Sequence, residues 1–381
     1  MLTLLKNTKL YSPKFLGDKD ILMAGGKIVA IEDKIDISSS IATIIDAKGK
    51  IATPGLIDQH IHIIGAGGKN GFASMTPEVK LSELIEVGST TVVGLLGTDG
   101  MARSVKTLYS KTKALTQEGI SAYMHTGYFG LDPVSITGSI MGDLIFIDKV
   151  LGCKIALSDI RSSFPNAKEL IEKLRDVYVG GLISGKKGIL HIHLGGLDTK
   201  LDVLFDLVNQ FNFPIQHISP THIGRTKDLF DQGIEFAKLG GIIDITTGAS
   251  KYTDPYKSVL YALENNVPIE NITFSSDGHA GLSKMDEKGN VIGYRTASFQ
   301  ENLNEMRALH QKGNVSLEDA LKVITLNPAN NLGLQHKGRI KLNADADICL
   351  FDEALNLLDV FAKGKHMMTN KEILVKGNFE S

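Results

Sequence analysis

Eight short apolar runs alternating with stretches of helical period constrain this chain of 381 residues more than any other feature. They read GLIDQHIHI from Gly55, TTVVGLLGT (90–98), SAYMHTGYF (121–129), GCKIALSD (152–159), GILHIHLGG (188–196), PIQHISPTH (214–222), GGIIDITTG (240–248) and ITFSSDG (272–278). Between them, PEVKLSELIEVG, NAKELIEKLRDVYVG, KLDVLFDLVNQF, TKDLFDQGIEFAKLGG and YKSVLYALENN repeat their apolar residues with a period near 3.6 and end near Gly or Asn. Strands that are apolar throughout, rather than on alternate residues, belong to a parallel sheet covered on both faces. Eight such units over roughly 280 residues predict an α/β fold of the (β/α)₈ barrel type, with catalytic groups at the C-terminal ends of the strands. A doubly wound sheet is the rival, but no G-x-G-x-x-G follows an early strand.

The two ends of the chain differ from its middle. LTLLKNTKLY, DILMAGGKIVAIED and ATIIDAKGKIATPG near the start, and ADICLFDEALNLLDVFAKGKHMM and EILVKGNF near the finish, are β-rich runs broken by glycine and proline turns. They predict a small β-sandwich built from residues 1–54 and 338–381 around a barrel of 55–337. Lys+Arg 41 against Asp+Glu 43 leaves no basic excess for a nucleic-acid partner. Cys153 and Cys349 are too few and too far apart for a disulfide framework, and no run approaches the ~18 apolar residues of a membrane span. These features predict a cytoplasmic protein with neither nucleic acid nor membrane as partner.

The polar residues that interrupt the strands share one register. His60 and His62 close the first run, Lys154 lies in the fourth, and His193, His222 and Asp277 close the fifth, sixth and eighth. Residues i and i+2 of a strand point to one face, so His60 and His62 can hold one object between them. For a lone His-x-His, a hydrogen-bonded core pair is an equally good reading. Imidazoles and a carboxylate are zinc-type ligands. Four histidines and an aspartate exceed what one catalytic ion with an open position takes, and suit two ions. Lys154, in an apolar strand, is either an ion-paired or snorkelling lysine or one neutral enough to add carbon dioxide and become a bridging carbamate. His191, His125 and His217 read as packed or supporting histidines, and His279 as a residue at the rim. GAGGKNG lacks the spacing of a phosphate-binding P-loop.

DQHIH after the first strand, the fourth-strand lysine, single histidines after the fifth and sixth strands, and SSDG on the eighth resemble the amidohydrolase superfamily. PGLIDQHIHIIGAGG, VVGLLGTDG, ITGSI, SDIRSS, PTHIGR and GGIIDITT resemble its isoaspartyl dipeptidase branch over nearly the whole chain. The resemblance implies two zinc ions, with His60, His62 and Asp277 on the more buried one, His193 and His222 on the more exposed one, and a carbamate on Lys154 between them. It implies attack on an amide by a metal-bridging hydroxide, with Asp277 carrying the proton to the leaving amine. Arg161 and Arg225 then hold substrate carboxylates, Gly67 and Thr98 contact the substrate, and the chain forms a homo-oligomer. Three positions depart from the branch. Lys69 replaces a glutamate that meets the substrate amino group, Phe129 replaces a tyrosine whose hydroxyl Tyr128 could supply from one residue earlier, and Gly281 replaces a serine. The expected activity is therefore hydrolysis of isoaspartyl dipeptides. The alternatives are the same chemistry on an N-acyl, N-carbamoyl or cyclic amide without a free amino group, or a non-catalytic binding protein of the same fold.

Overall fold

The computed structural model describes residues 2–249 and 251–380. Strands β1 (Leu56–Ile61), β2 (Ser89–Gly94), β3 (Ser121–Gly127), β4 (Val150–Leu157), β5 (Ile189–Leu194) and β6 (Ile218–Thr221) form one parallel sheet in sequential order. β7 (Ile243–Thr246) and β8 (Ile272–Ser275) form a separate parallel pair. All eight are buried along their whole length except for one half-buried tyrosine, Tyr123, as their unbroken apolar sequences require. The predicted runs extend past the strands: the third stops at Gly127 and the sixth begins only after a helical turn over Ile215–His217. Helices over Val105–Glu118, Ala167–Ser184, Asp202–Phe211, Lys227–Lys238 and Pro255–Glu264 connect the strands. Asn166 and Glu169 start the second of these with a reciprocal pair of side chain to backbone hydrogen bonds, and Thr226 caps the fourth.

Where the backbone ladder is interrupted, side chains join the two sheets. Asp244 on β7 accepts hydrogen bonds from Thr221 on β6 (2.6 Å), Gln59 on β1 (2.7 Å), and Thr273 and Ser275 on β8 (2.7 and 2.5 Å). Burial pushes the Asp244 carboxyl up against the pull of these four donors. Beyond the strand ends, the His62 amide donates to the Gly278 carbonyl at 2.9 Å, and Ile61 bridges Gly278 in parallel. The first and last parallel strands are thus tied together at the end that carries the predicted ligands.

Strands from both chain ends share one nine-stranded sheet. Ile51–Pro54 runs between Leu2–Tyr11 and, antiparallel, Ile348–Phe351. Leu5, Leu10, Ile21, Ile348 and Phe361 form its own apolar core, separate from the core around the parallel strands. Among the described residues no helix is long and apolar enough to cross a membrane, and Cys153 and Cys349 are free and buried.

Candidate active site

A cavity of roughly 580 Å³, counting its open mouth, lies beyond the C-terminal ends of the parallel strands. His60, His62, His193 and Asp277 line its floor, with Gly67, Lys69, Thr98, Phe129, Arg161 and Arg225 around its walls. Of these four, His60 and His193 lie within the bounds of β1 and β5; His62 follows the end of β1 by one residue and Asp277 the end of β8 by two. Asp277 and His222 hold left-handed backbones, with φ of 54° and 63°. Aspartate tolerates this region better than most residues, and such conformations persist where the surrounding fold enforces them.

His60, His62 and Asp277 are buried, and each offers a ligand atom, all within 4.8 Å of one another. The Nε2 atoms of His60 and His62 lie 3.3 and 3.2 Å from the same Asp277 oxygen. Lys154 is fully buried, its Nζ 3.4 Å from His60 Nε2. The rings of His222 and His193 complete the floor, 4.9 Å from His60 and 4.5 Å from each other, respectively. Burial, reinforced by the Lys154 charge, pushes the His60 imidazole down to about 3, and burial holds His193 and His222 well below their ordinary range. These three rings are therefore neutral at pH 7, the protonation state in which imidazole binds a metal. Burial also lowers Lys154 to about 7, so that much of the amine is neutral. For Asp277, burial acts upward, but the hydrogen bonds to His60 and His62 win and keep it ionised.

Most of these rings are held from behind, by His191, which the sequence suggested as a supporting histidine, and by two residues it did not single out. His60 Nδ1 meets His191 Nε2 at 2.8 Å, and His191 continues to Ser219 at 3.2 Å. His193 Nε2 meets Asp159 at 3.1 Å, and His222 Nδ1 meets Thr246 at 2.5 Å. Each contact leaves the opposite ring nitrogen for another partner, the arrangement by which surrounding residues orient metal-binding histidines. Burial raises Asp159, yet bidentate donation from Arg161 (2.8 and 2.5 Å) and the His193 contact hold it well below the usual carboxylate range. The one sequence signal for Asp159 is its place two residues before Arg161 in SDIR.

The walls are cationic. Lys69, Arg161 and Arg225 all face the cavity, and Arg225 Nε is buried without a hydrogen-bond partner among the described residues. Burial, and then the charges of Arg161 and Arg225, lower the Lys69 ammonium. Phe129, not Tyr128, lines the cavity, with its ring 4.3 Å from that of His193 and 5.2 Å from the Arg161 guanidinium. Tyr128 turns the other way, packed between Gly100 and Gly130; a Cβ on Gly100 would come within 2.5 Å of its ring. The suggestion that Tyr128 supplies a hydroxyl to the reaction is thereby corrected. His279 is likewise not at the rim: it is buried, bonded to the Pro77 carbonyl at 3.0 Å and 3.4 Å from Glu83. His125 is buried and stacks on His191 at 5.1 Å, and His217 bonds the Gly188 carbonyl at 2.7 Å.

The C-terminal ends of the parallel strands thus carry buried histidines, an aspartate and a lysine, of which His60, His62 and Asp277 form a group that could hold a metal ion. The sequence profile of the amidohydrolase family matches residues 190–379. The solved beta-aspartyl dipeptidase of Fervidobacterium islandicum AW-1, in complex with a beta-Asp-Leu dipeptide, is 41% identical, with a TM-score of 0.92 and full coverage of both chains. The chain belongs to the amidohydrolase family, and it is a hydrolase acting on amide bonds. Within that family it is similar over its whole length to beta-aspartyl dipeptidases, a second structure from the same organism giving 39% identity and a TM-score of 0.91. A dihydroorotase of Aquifex aeolicus is 26% identical over 88% of this chain and 85% of its own. The dihydropyrimidinase of Brevibacillus agri, at 16% identity and a TM-score of 0.70, shares the fold.

Proposed function

We propose that the chain is a binuclear metal-dependent hydrolase of isoaspartyl dipeptides. The observation that carries this reading is the buried cluster of histidines with ionised Asp277 beneath a cavity walled by Arg161 and Arg225. Two divalent ions, zinc by the donor set, would be held by His60, His62 and Asp277 on one side and His193 and His222 on the other, with a carbamate on Lys154 reaching both. When bound, such ions acidify water and polarise a carbonyl. The protein's own part follows from its geometry. The guanidinium groups of Arg161 and Arg225 bind the two carboxylates of the dipeptide and set the amide over the floor, with Gly67 and Thr98 alongside. Asp277 takes a proton from the attacking water and gives it to the departing nitrogen. Phe129 covers His193 and keeps water from that side of the floor.

The same reading assigns residues 55–337 to a closed (β/α)₈ barrel and 1–54 with 338–381 to a β-sandwich, in a cytoplasmic homo-oligomer. Two free buried cysteines agree with a reducing compartment.

Lys69 favours a second reading of the substrate. With Arg161 and Arg225 it makes three cations on the cavity wall, and the one carboxylate among the lining residues, Asp277, is engaged by His60 and His62. A substrate ammonium finds no free anion there, whereas an N-acyl, N-carbamoyl or cyclic amide needs none. Lys69→Glu should raise kcat/KM for an unblocked isoaspartyl dipeptide and lower it for the N-acetylated form. A screened charge at the mouth is worth on the order of 1 kcal/mol, so several-fold to roughly tenfold each way is expected. An unchanged ratio of the two substrates in the variant would leave Lys69 a solvated loop residue.

A further inference from the structure

Three of the four proposed ligand histidines have their second ring nitrogen held from behind, by His191, Asp159 and Thr246. His62 is the exception: its Nδ1 is buried and makes no hydrogen bond among the described residues. A buried donor or acceptor of this kind calls for a partner. The matching unpaired atom is close by. Asp99, in the loop after β2, is 8% exposed; its Oδ2 accepts from Arg103 Nε at 2.8 Å, while its Oδ1 is buried and unpaired. Gly97 separates the two groups. A Cβ built on it would lie 3.2 Å from Asp99 Oδ1 and 3.3 Å from His62 Cε1. Gly97 is outside the left-handed region, so what this position requires of glycine is space, held open between a carboxylate and an imidazole.

We infer that Asp99 is a positioning residue for His62. Its Oδ1 reaches His62 Nδ1 through one bridging water, and this holds the ring with Nε2 directed at Asp277. Arg103 anchors the carboxylate while its other nitrogens donate to the Ile64 and Thr76 carbonyls, so the loops after β1 and β2 are held in one register around His62. This makes His62 the fourth histidine with a partner behind it. The inference rests on the metal-centre reading for its consequence, but not for the contact itself.

Asp99→Asn separates a positioning role from a structural one. Arg103 can only donate, so the amide oxygen turns to it and the amide NH₂ faces the His62 side, where it can no longer accept. In the zinc-loaded full chain labelled with ¹⁵N-histidine, the His62 Nδ1–H is expected to be protected from solvent exchange in the parent and to exchange faster in the variant. Zinc titrated against a chromophoric chelator should bind the variant roughly 10–100-fold more weakly, with the melting temperature unchanged. Gly97→Ala, which fills the gap, should weaken zinc binding in the same direction. An unchanged Nδ1–H exchange rate with unchanged zinc affinity would overturn the inference, as would loss of zinc accompanied by a lowered melting temperature in both variants. A parent that binds no zinc would defeat the metal-centre reading, while movement of the His62 ¹⁵N resonances in Asp99→Asn, or its absence, would still decide the Asp99 to His62 contact.

Discussion

Lys154→Ala is expected to abolish turnover and bound metal together, and to leave the fold intact or stabilised. The ammonium is fully buried, with His60 Nε2 at 3.4 Å as its nearest hydrogen-bonding neighbour, so its charged form has little to offset desolvation. A purely structural lysine there would be a liability, and its removal would raise stability without touching activity. In the proposed role, the neutral amine attacks carbon dioxide, the new N–C bond forms, one proton leaves, and the product is an anion able to reach two cations. With Lys154 lowered to about 7, the neutral fraction rises with pH through that value. Reactivation of metal-stripped protein by zinc at a fixed concentration of dissolved carbon dioxide should therefore speed up between about pH 6 and 8. In the alanine variant, short carboxylates placed in the vacated space should restore part of both metal and activity. Full metal content and full turnover in Lys154→Ala would exclude the bridging role.

How much of this was legible before the structure depends on what kind of information each feature needs. The alternation of apolar runs and helical stretches announced eight parallel strands because a strand covered on both faces has no polar alternation to hide. The proposed ligands were legible because each is a polar residue where the apolar run is interrupted. Apart from His191, their supporting partners were not. Asp159 reaches His193 from the loop after β4, Thr246 reaches His222 from β7, and Asp99 lies across Gly97 from His62 in the loop after β2, placements set by packing between strands rather than by spacing along one. Tyr128 and Phe129 show a different limit. β3 ends at Gly127 with φ of 83°, and beyond that turn the two-residue alternation no longer says which side chain points inward. The interruptions between β6 and β7 and between β8 and β1 were equally invisible, since Asp244 closes them with side chains.

Asp277→Asn should lower kcat by roughly 10²–10⁴ while KM moves little, because the proposed work of this carboxylate is proton transfer in the transition state. The substitution is a clean probe for a backbone reason. Residue 277 sits at φ 54°, a conformation that asparagine adopts as readily as aspartate, so the loop over β8 and its bond between the His62 amide and the Gly278 carbonyl should persist. What changes is charge and basicity. In the parent, contacts to His60 and His62 keep the carboxylate ionised well below neutral pH, so the group that accepts the proton is present throughout the working range. The amide cannot accept it, and the acid side of the pH profile should lose any dependence that the carboxylate imposes. Metal content separates the two duties assigned to Asp277. A variant that retains its ions but has lost turnover isolates the proton-transfer role. One that loses ions and turnover in the same proportion reduces Asp277 to a ligand, and one as active as the parent removes it from the mechanism.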